Sequence, residues 1–231
     1  MKEFIEVIRD KSLILLTDFS PERREKAIRA YQRYNENLLR LEKRFNEYIQ
    51  IETKKAMVDL EELEKQNRTL EDLQLEFVDK TEAFHQHVYA TISTFILLLS
   101  HVAGHKYKGQ LPISGVTKFL KYISETNQDE YIDVQADALK TSIDFRAKFI
   151  DHPQQHALHD WMTWSHGSGT CIIYFIRTGN GVYVPEHIDP YACDFRPPID
   201  CGDFYVSPPP HEAFLAIKGF SVAILDNLIK E

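Results

Sequence analysis

The chain has 231 residues, 43% of them hydrophobic and 27% charged, enough to bury a substantial core and ordinary for a globular protein. Asp and Glu number 35 against 27 Lys and Arg, and the formal charge of -8 counts against strong nonspecific nucleic-acid binding, which needs clustered cations to neutralise phosphates. Cys171, Cys193 and Cys201 form an odd set without a CxxC pair, which argues against a disulfide framework and points to a reducing, cytoplasmic compartment.

The opening MKEFIEVIRD sets acidic residues among apolar ones, unlike the basic-then-apolar layout of a secretion signal, and predicts a short helix over Glu3 to Leu16. Ser20-Pro21 marks the next helix start, because Ser20 can cap free amides and Pro21 suits a first turn. Tyr31, Tyr34, Leu38, Leu41, Phe45 and Tyr48 alternate spacings of three and four, the seam of a coiled coil. The pattern fails at Glu52 and Lys55 and resumes in another phase at Ile49, Ala56, Leu60 and Leu63. One long helix ending near Asn67 is expected, packed in its own bundle or against a partner chain.

Thr69 to Asp72 resembles a capping box with Asp in the Glu position and opens another long helix, to about Gly104. Within it, Val88 to Ala103 is the longest apolar stretch, but Thr91, Ser93, Thr94, Ser100 and His101 make it too short and polar to span a bilayer. A buried core helix and no membrane partner are expected. A third segment starts at Ser114, and Asn127 is expected to cap a fourth, Gln128 to about Ile150. The run CIIYFIR from Cys171, then Thr178-Gly179-Asn180-Gly181 and Val182 to Val184, predicts a hairpin. Pro185 to Pro210 reads as ordered loop with a short strand at Phe204 to Val206, and a final helix follows from His211 to Ile229. The fold class expected is mainly α: a helical bundle with long N-terminal coiled-coil-like helices and a small β-hairpin or loop insertion before the last helix. Residues 1–67 would form the N-terminal region and 68–231 the bundle, with its insertion at about 160–210.

The sharpest local feature lies at the end of the fourth segment. At about 100° per residue, Tyr131, Ile132, Val134, Ala138, Leu139, Ile143, Phe145, Phe149 and Ile150 share one broad arc, with Asp133, Asp137, Lys140, Asp144, Lys148 and Asp151 on the other side. Arg146 falls within the apolar arc, close to Ser142 and Gln135. A guanidinium turned inward keeps its charge, so it pairs with a carboxylate, snorkels at the bundle edge, or serves an anion site. Pro153 pushes His152 out of helical geometry and ends the helix there. The helix dipole and the neighbouring Asp151 favour protonated imidazole, which suits a His that titrates near neutrality, or one that satisfies terminal carbonyls.

The stretch FRAKFIDHP, Phe145 to Pro153, resembles the Arg-x-x-x-x-x-His motif of HEPN-domain proteins, small helical bundles that often dimerise. The resemblance covers Thr69 to Ile150 and the final helix, with Cys171 to Pro210 as an insertion and the N-terminal helices as an elaboration. Many members are metal-independent endoribonucleases, toxins and phage-defence factors among them; others have lost activity, and the position after the arginine, polar in active members, is Ala147 here. The resemblance implies a homodimer with two Arg–His pairs around one dyad, no cofactor, RNA as substrate or ligand, and an antitoxin or other protein as a further partner. It implies that His152 acts as general base on a ribose 2′-hydroxyl or as general acid on the leaving oxygen, and that Arg146 holds the scissile phosphate. Ser142, Asp151, His156 and His159 would support them.

Two other classes compete. In one, the long N-terminal helices bind a protein partner and Arg146 is structural. In the other, His ligands build a hydrolytic metal site, from His101 and His105, from His152, His156 and His159, or from His85 and His87; yet no HExxH occurs, and His85 and His87 fall on different helix faces. Cys171, His187, Cys193 and Cys201 match no standard zinc spacing and read as buried cysteines. His156, His159, Asp160, Trp161 and Trp164 are expected either as a polar and aromatic wall beside Arg146 or as core. Lys106, Lys108, Lys118, Lys121, Lys140 and Lys148 form a basic cluster in sequence. No P-loop, GxGxxG or Gly-x-Ser-x-Gly elbow is present.

Overall fold

A computed structural model describes residues 1–17, 19–55, 65–103, 115–126, 129–149, 158–166, 169–178, 181–184, 203–206 and 210–230. Among them run six helices, α1 (Lys2–Leu15), α2 (Pro21–Lys55), α3 (Leu70–Val102), α4 (Val116–Thr126), α5 (Glu130–Phe149) and α6 (Pro210–Lys230). The strands β1 (Leu158–His166), β2 (Gly169–Thr178), β3 (Gly181–Val184) and β4 (Asp203–Val206) lie between α5 and α6. The protein is thus mainly α, with the β insertion before the last helix. No helix among the described residues is long and apolar enough to cross a membrane.

The helix starts follow local chemistry. Pro21 and Pro210 occupy first positions, where the missing N–H costs nothing. Before α3, Asp72 Oδ2 accepts from the Thr69 amide at 2.7 Å and Thr69 Oγ1 accepts from the Asp72 amide at 3.2 Å, the reciprocal pair of a capping box. The Thr69 amide and, at 3.1 Å, the Thr69 hydroxyl both donate to the Asp72 carboxyl and lower its pKa from the ordinary value. Asn67, just ahead, has φ 52°, a left-handed conformation that Asn tolerates. Two starts differ from expectation. Gly115 O accepts from Phe119 N, so α4 begins at a glycine with φ 132°, and Ser114 lies outside the described residues. Asp129 caps α5, its Oδ1 accepting from Tyr131 N at 3.0 Å, in place of Asn127, which also lies outside.

By its contacts the chain divides into two compact units, each drawn from several stretches of sequence. The first comprises 1–43, 85–144 and 210–231. Its core takes Tyr34, Leu38 and Leu41 from α2, Phe95 and Leu99 from α3, Phe119 from α4, Ile132 and Leu139 from α5, and Phe220 from α6. The Phe95 ring lies 5.3 Å from Tyr34 and 6.2 Å from Phe220, and Phe119 meets Phe220 edge-on at 6.0 Å. Tyr34 carries its hydroxyl inside by sharing a 2.6 Å hydrogen bond with Ser221 Oγ. The α2 seam therefore packs in its own bundle over this range.

The second unit comprises 44–84 and 145–209. Phe84 packs between Phe45 and Tyr48, with centroids 6.1 and 6.3 Å away, and Glu47 pairs with Arg44 at 2.7 Å and Lys80 at 3.7 Å. The sheet has strand order β1-β2-β3-β4, antiparallel at the first two junctions and parallel at β3–β4. Pairing of Thr178 with Gly181 leaves two residues to join β2 to β3, the hairpin expected from Gly179-Asn180. β1 is an addition to the expected hairpin: LHDWMTWSH lacks the β-branched density of β2 and pairs along its whole length with it.

Candidate functional site at the end of α5

On α5 the buried positions are Ile132, Ala136, Leu139, Ser142, Ile143 and Phe145, a stripe advancing by three and four residues. This is narrower than the arc expected: Tyr131 is 53% and Val134 60% exposed. The Tyr131 hydroxyl instead lies where a β-carbon on Gly219 of α6 would sit, with Gln135 Cδ 3.3 Å from that position. Arg146 is half-buried. It follows Leu139 by seven residues, about 20° off in helical phase, and Ser142 by four, about 40° off.

Ser142 is fully buried, and its Oγ shares a 2.8 Å hydrogen bond with Nδ1 of His85 on α3. Burial pushes the His85 imidazole down to about 3, so it is neutral at physiological pH and acts as a hydrogen-bonding strut there. His85 is the residue that spacing arguments undervalue. Its distance from other histidines suggests only a metal ligand, yet it shares the buried face of α3 with Thr81, Val88, Ile92 and Ile96, a face readable from the three-and-four spacing.

His152, Asp151 and His156 lie outside the described residues, as do His105, His187, Cys193 and Cys201. His159 is placed on β1, its Cα paired across the strand with Ile176, and Trp161 and Trp164 belong to the same strand. Cys171 sits on β2 opposite Trp164. Among the described residues no three His, Cys, Asp or Glu side chains come together as a metal-ligand set. Of the basic cluster, Lys118, Lys121 and Lys140 are exposed, and Lys121 pairs loosely with Glu125 at 3.6 Å.

A concave feature lies in the first unit, between α1 and α2. Arg9, Ser12, Leu13 and Leu16 of α1 and its C-cap, with Ala27, Ile28, Tyr31 and Gln32 of α2, line a mostly apolar groove of about 190 Å³. Leu13 and Ile28 are 49% and 44% exposed at its edge. Compared with protein-family models, curated proteins and solved structures, the chain matches none of them.

Proposed function

We propose that the chain is a HEPN-like, metal-independent endoribonuclease of the toxin or phage-defence kind, working as a homodimer in the cytoplasm. The observation that carries this reading is Arg146: half-buried, in phase with Leu139 and Ser142, at the last turn of α5 and six residues before His152. A guanidinium placed there suits an anion, and the scissile phosphate of RNA is one. In the reaction the ribose 2′-oxygen bonds to phosphorus while the bond from phosphorus to the 5′-oxygen breaks. His152 takes the 2′-hydroxyl proton, or gives one to the departing 5′-oxygen, and Arg146 stabilises the negative charge that builds on the phosphoryl oxygens. The neighbouring hydroxyl is the nucleophile, so the chemistry runs on these two side chains. Purified protein should cleave RNA in EDTA. Arg146→Ala and His152→Ala should each abolish cleavage with an unchanged melting temperature; retained cleavage in either variant overturns the assignment.

A noncatalytic interaction protein is the second reading, supported by the α1–α2 groove with Leu13 and Ile28 open at its edge. It expects no cleavage by the wild type and partner binding that survives Arg146→Ala but fails on Ile28→Glu.

A further inference from the structure

The net charge of -8 hides an asymmetry: residues 21–43 of α2 carry seven Lys and Arg against four Glu. In the first unit α2 and α3 run antiparallel, as two contacts fix: Arg23 Nε donates to His101 O at 3.4 Å, and Asn37 Nδ2 donates to Thr94 Oγ1 at 3.2 Å and Ala90 O at 3.5 Å. Lys26, Arg33 and Arg40 recur every seven residues on α2, drifting only about 20° per step, and so share one face. On α3 His87, Thr94 and His101 have the same spacing. Asn37 lies beside the α2 row and touches the α3 row at Thr94, so the two rows border one seam. The Lys26 and Arg23 charges also lower the pKa of His101, after burial itself, which places that end of both rows together.

The three α2 cations are exposed. Glu22 holds Lys26 at 2.7 Å, but among the described residues Arg33 and Arg40 make no ion pair. Glu36 stands between them in sequence, turned about 40–60° off their row. The exposed apolar residues Ile28 and Leu39 point about 100° or more from it, so this face lacks the apolar anchors that a protein partner needs. It offers guanidinium forks and imidazoles in a line of about 21 Å from Lys26 to Arg40, at 1.5 Å per residue.

We infer that the α2–α3 seam is a docking track for the phosphate backbone of single-stranded RNA, with Arg33 and Arg40 as its principal contacts and Lys26, His87 and His101 alongside. Recognition is of backbone and independent of base. The choice of RNA over another polyanion rests on the function proposed above; the track itself stands on α2 and α3 alone.

Fluorescence anisotropy of the full chain with a labelled single-stranded RNA of 2′-O-methyl nucleotides, which lacks the attacking hydroxyl and stays intact, at several salt concentrations, tests it. The expected result is binding that weakens with salt, and an Arg33→Glu/Arg40→Glu variant that binds about tenfold weaker or worse. An Arg33→Gln/Arg40→Gln variant should flatten the log-affinity slope by about 1.4, at about 0.7 per phosphate contact. Lys118→Glu/Lys121→Glu, on the exposed face of α4, should bind as the wild type does. Loss of binding in the Arg33→Glu/Arg40→Glu variant is read whether or not the wild type cuts RNA, which separates this inference from the nuclease reading. Salt-insensitive or absent binding by the wild type, equal binding by the Arg33/Arg40 variants, equal loss in the lysine variant, or capture of an acidic protein but no RNA overturns it.

Discussion

At the scale of single residues, buried polar groups decide most. Tyr34 and Ser221 satisfy each other inside the first unit, and burial raises the Tyr34 phenol well above its ordinary range. Tyr34→Phe leaves Ser221 Oγ without that bond and should cost about 1–2 kcal/mol in denaturant unfolding, since Ser221 can turn back to its own helix for partial relief. His85 gives a pH signature. Its folded pKa is depressed to about 3 from an ordinary 6.5, so the unfolded state takes up the proton first. Its contribution is intact above about pH 6.5 and is lost progressively as pH falls toward 3, by about 1.4 kcal/mol per pH unit. Between pH 7 and pH 5 the unfolding free energy should therefore fall more steeply for wild type than for His85→Gln; parallel falls would show that His85 is not the group responsible. Arg146 is legible in the sequence because one charge interrupts an apolar phase. The His85–Ser142 pair is not, because hydrogen bonds between helices depend on which faces meet, and spacing along one helix does not contain that.

Among elements, starts are legible wherever a side chain or proline makes them. Pro21, Thr69 to Asp72 and Pro210 open helices as their chemistry dictates, and β2 pairs antiparallel with β3 as the expected hairpin. Thr69→Ala removes the cap acceptor and should destabilise by about 1 kcal/mol. The start of α4 falls at Gly115 rather than the expected Ser114 because a glycine acts there through backbone conformation, which sequence shows only as the residue type. Its φ of 132° is strained for any side chain, although a β-carbon at this position would have nothing within 4 Å. Gly115→Ala should thus lower the melting temperature despite open space, by about 1–2 kcal/mol of stability, and a neutral result would show that the turn relaxes. β1 escapes the sequence reading because its pairing partner, β2, supplies the β propensity for both strands. Gly219 of α6 tests close packing: the atoms nearest a β-carbon there belong to the outer ends of the Tyr131 and Gln135 side chains, so about 1 kcal/mol gained in helix propensity should offset their shift in an Ala variant.

For the whole molecule, the alternation of long amphipathic helices with a Pro-rich, β-forming stretch points to the mainly α class, and the structure bears it out. The grouping into units is not readable in the same way, because α2, α3 and α5 each contribute to both, and chain order does not reveal which halves of a long helix pack together. Phe220, which gathers Phe95 and Phe119 around it, should be the costliest truncation of the first unit: Phe220→Ala is expected to lose about 3–5 kcal/mol. Function rests on fewer residues than the fold does. Mass spectrometry of RNA fragments after incubation with the purified protein in EDTA tests the central claim most directly. The expected products carry a 2′,3′-cyclic phosphate on one side of the cut and a 5′-hydroxyl on the other, and they vanish with Arg146→Ala. Intact RNA with the wild type, or the same fragments from the Arg146→Ala protein, would contradict it.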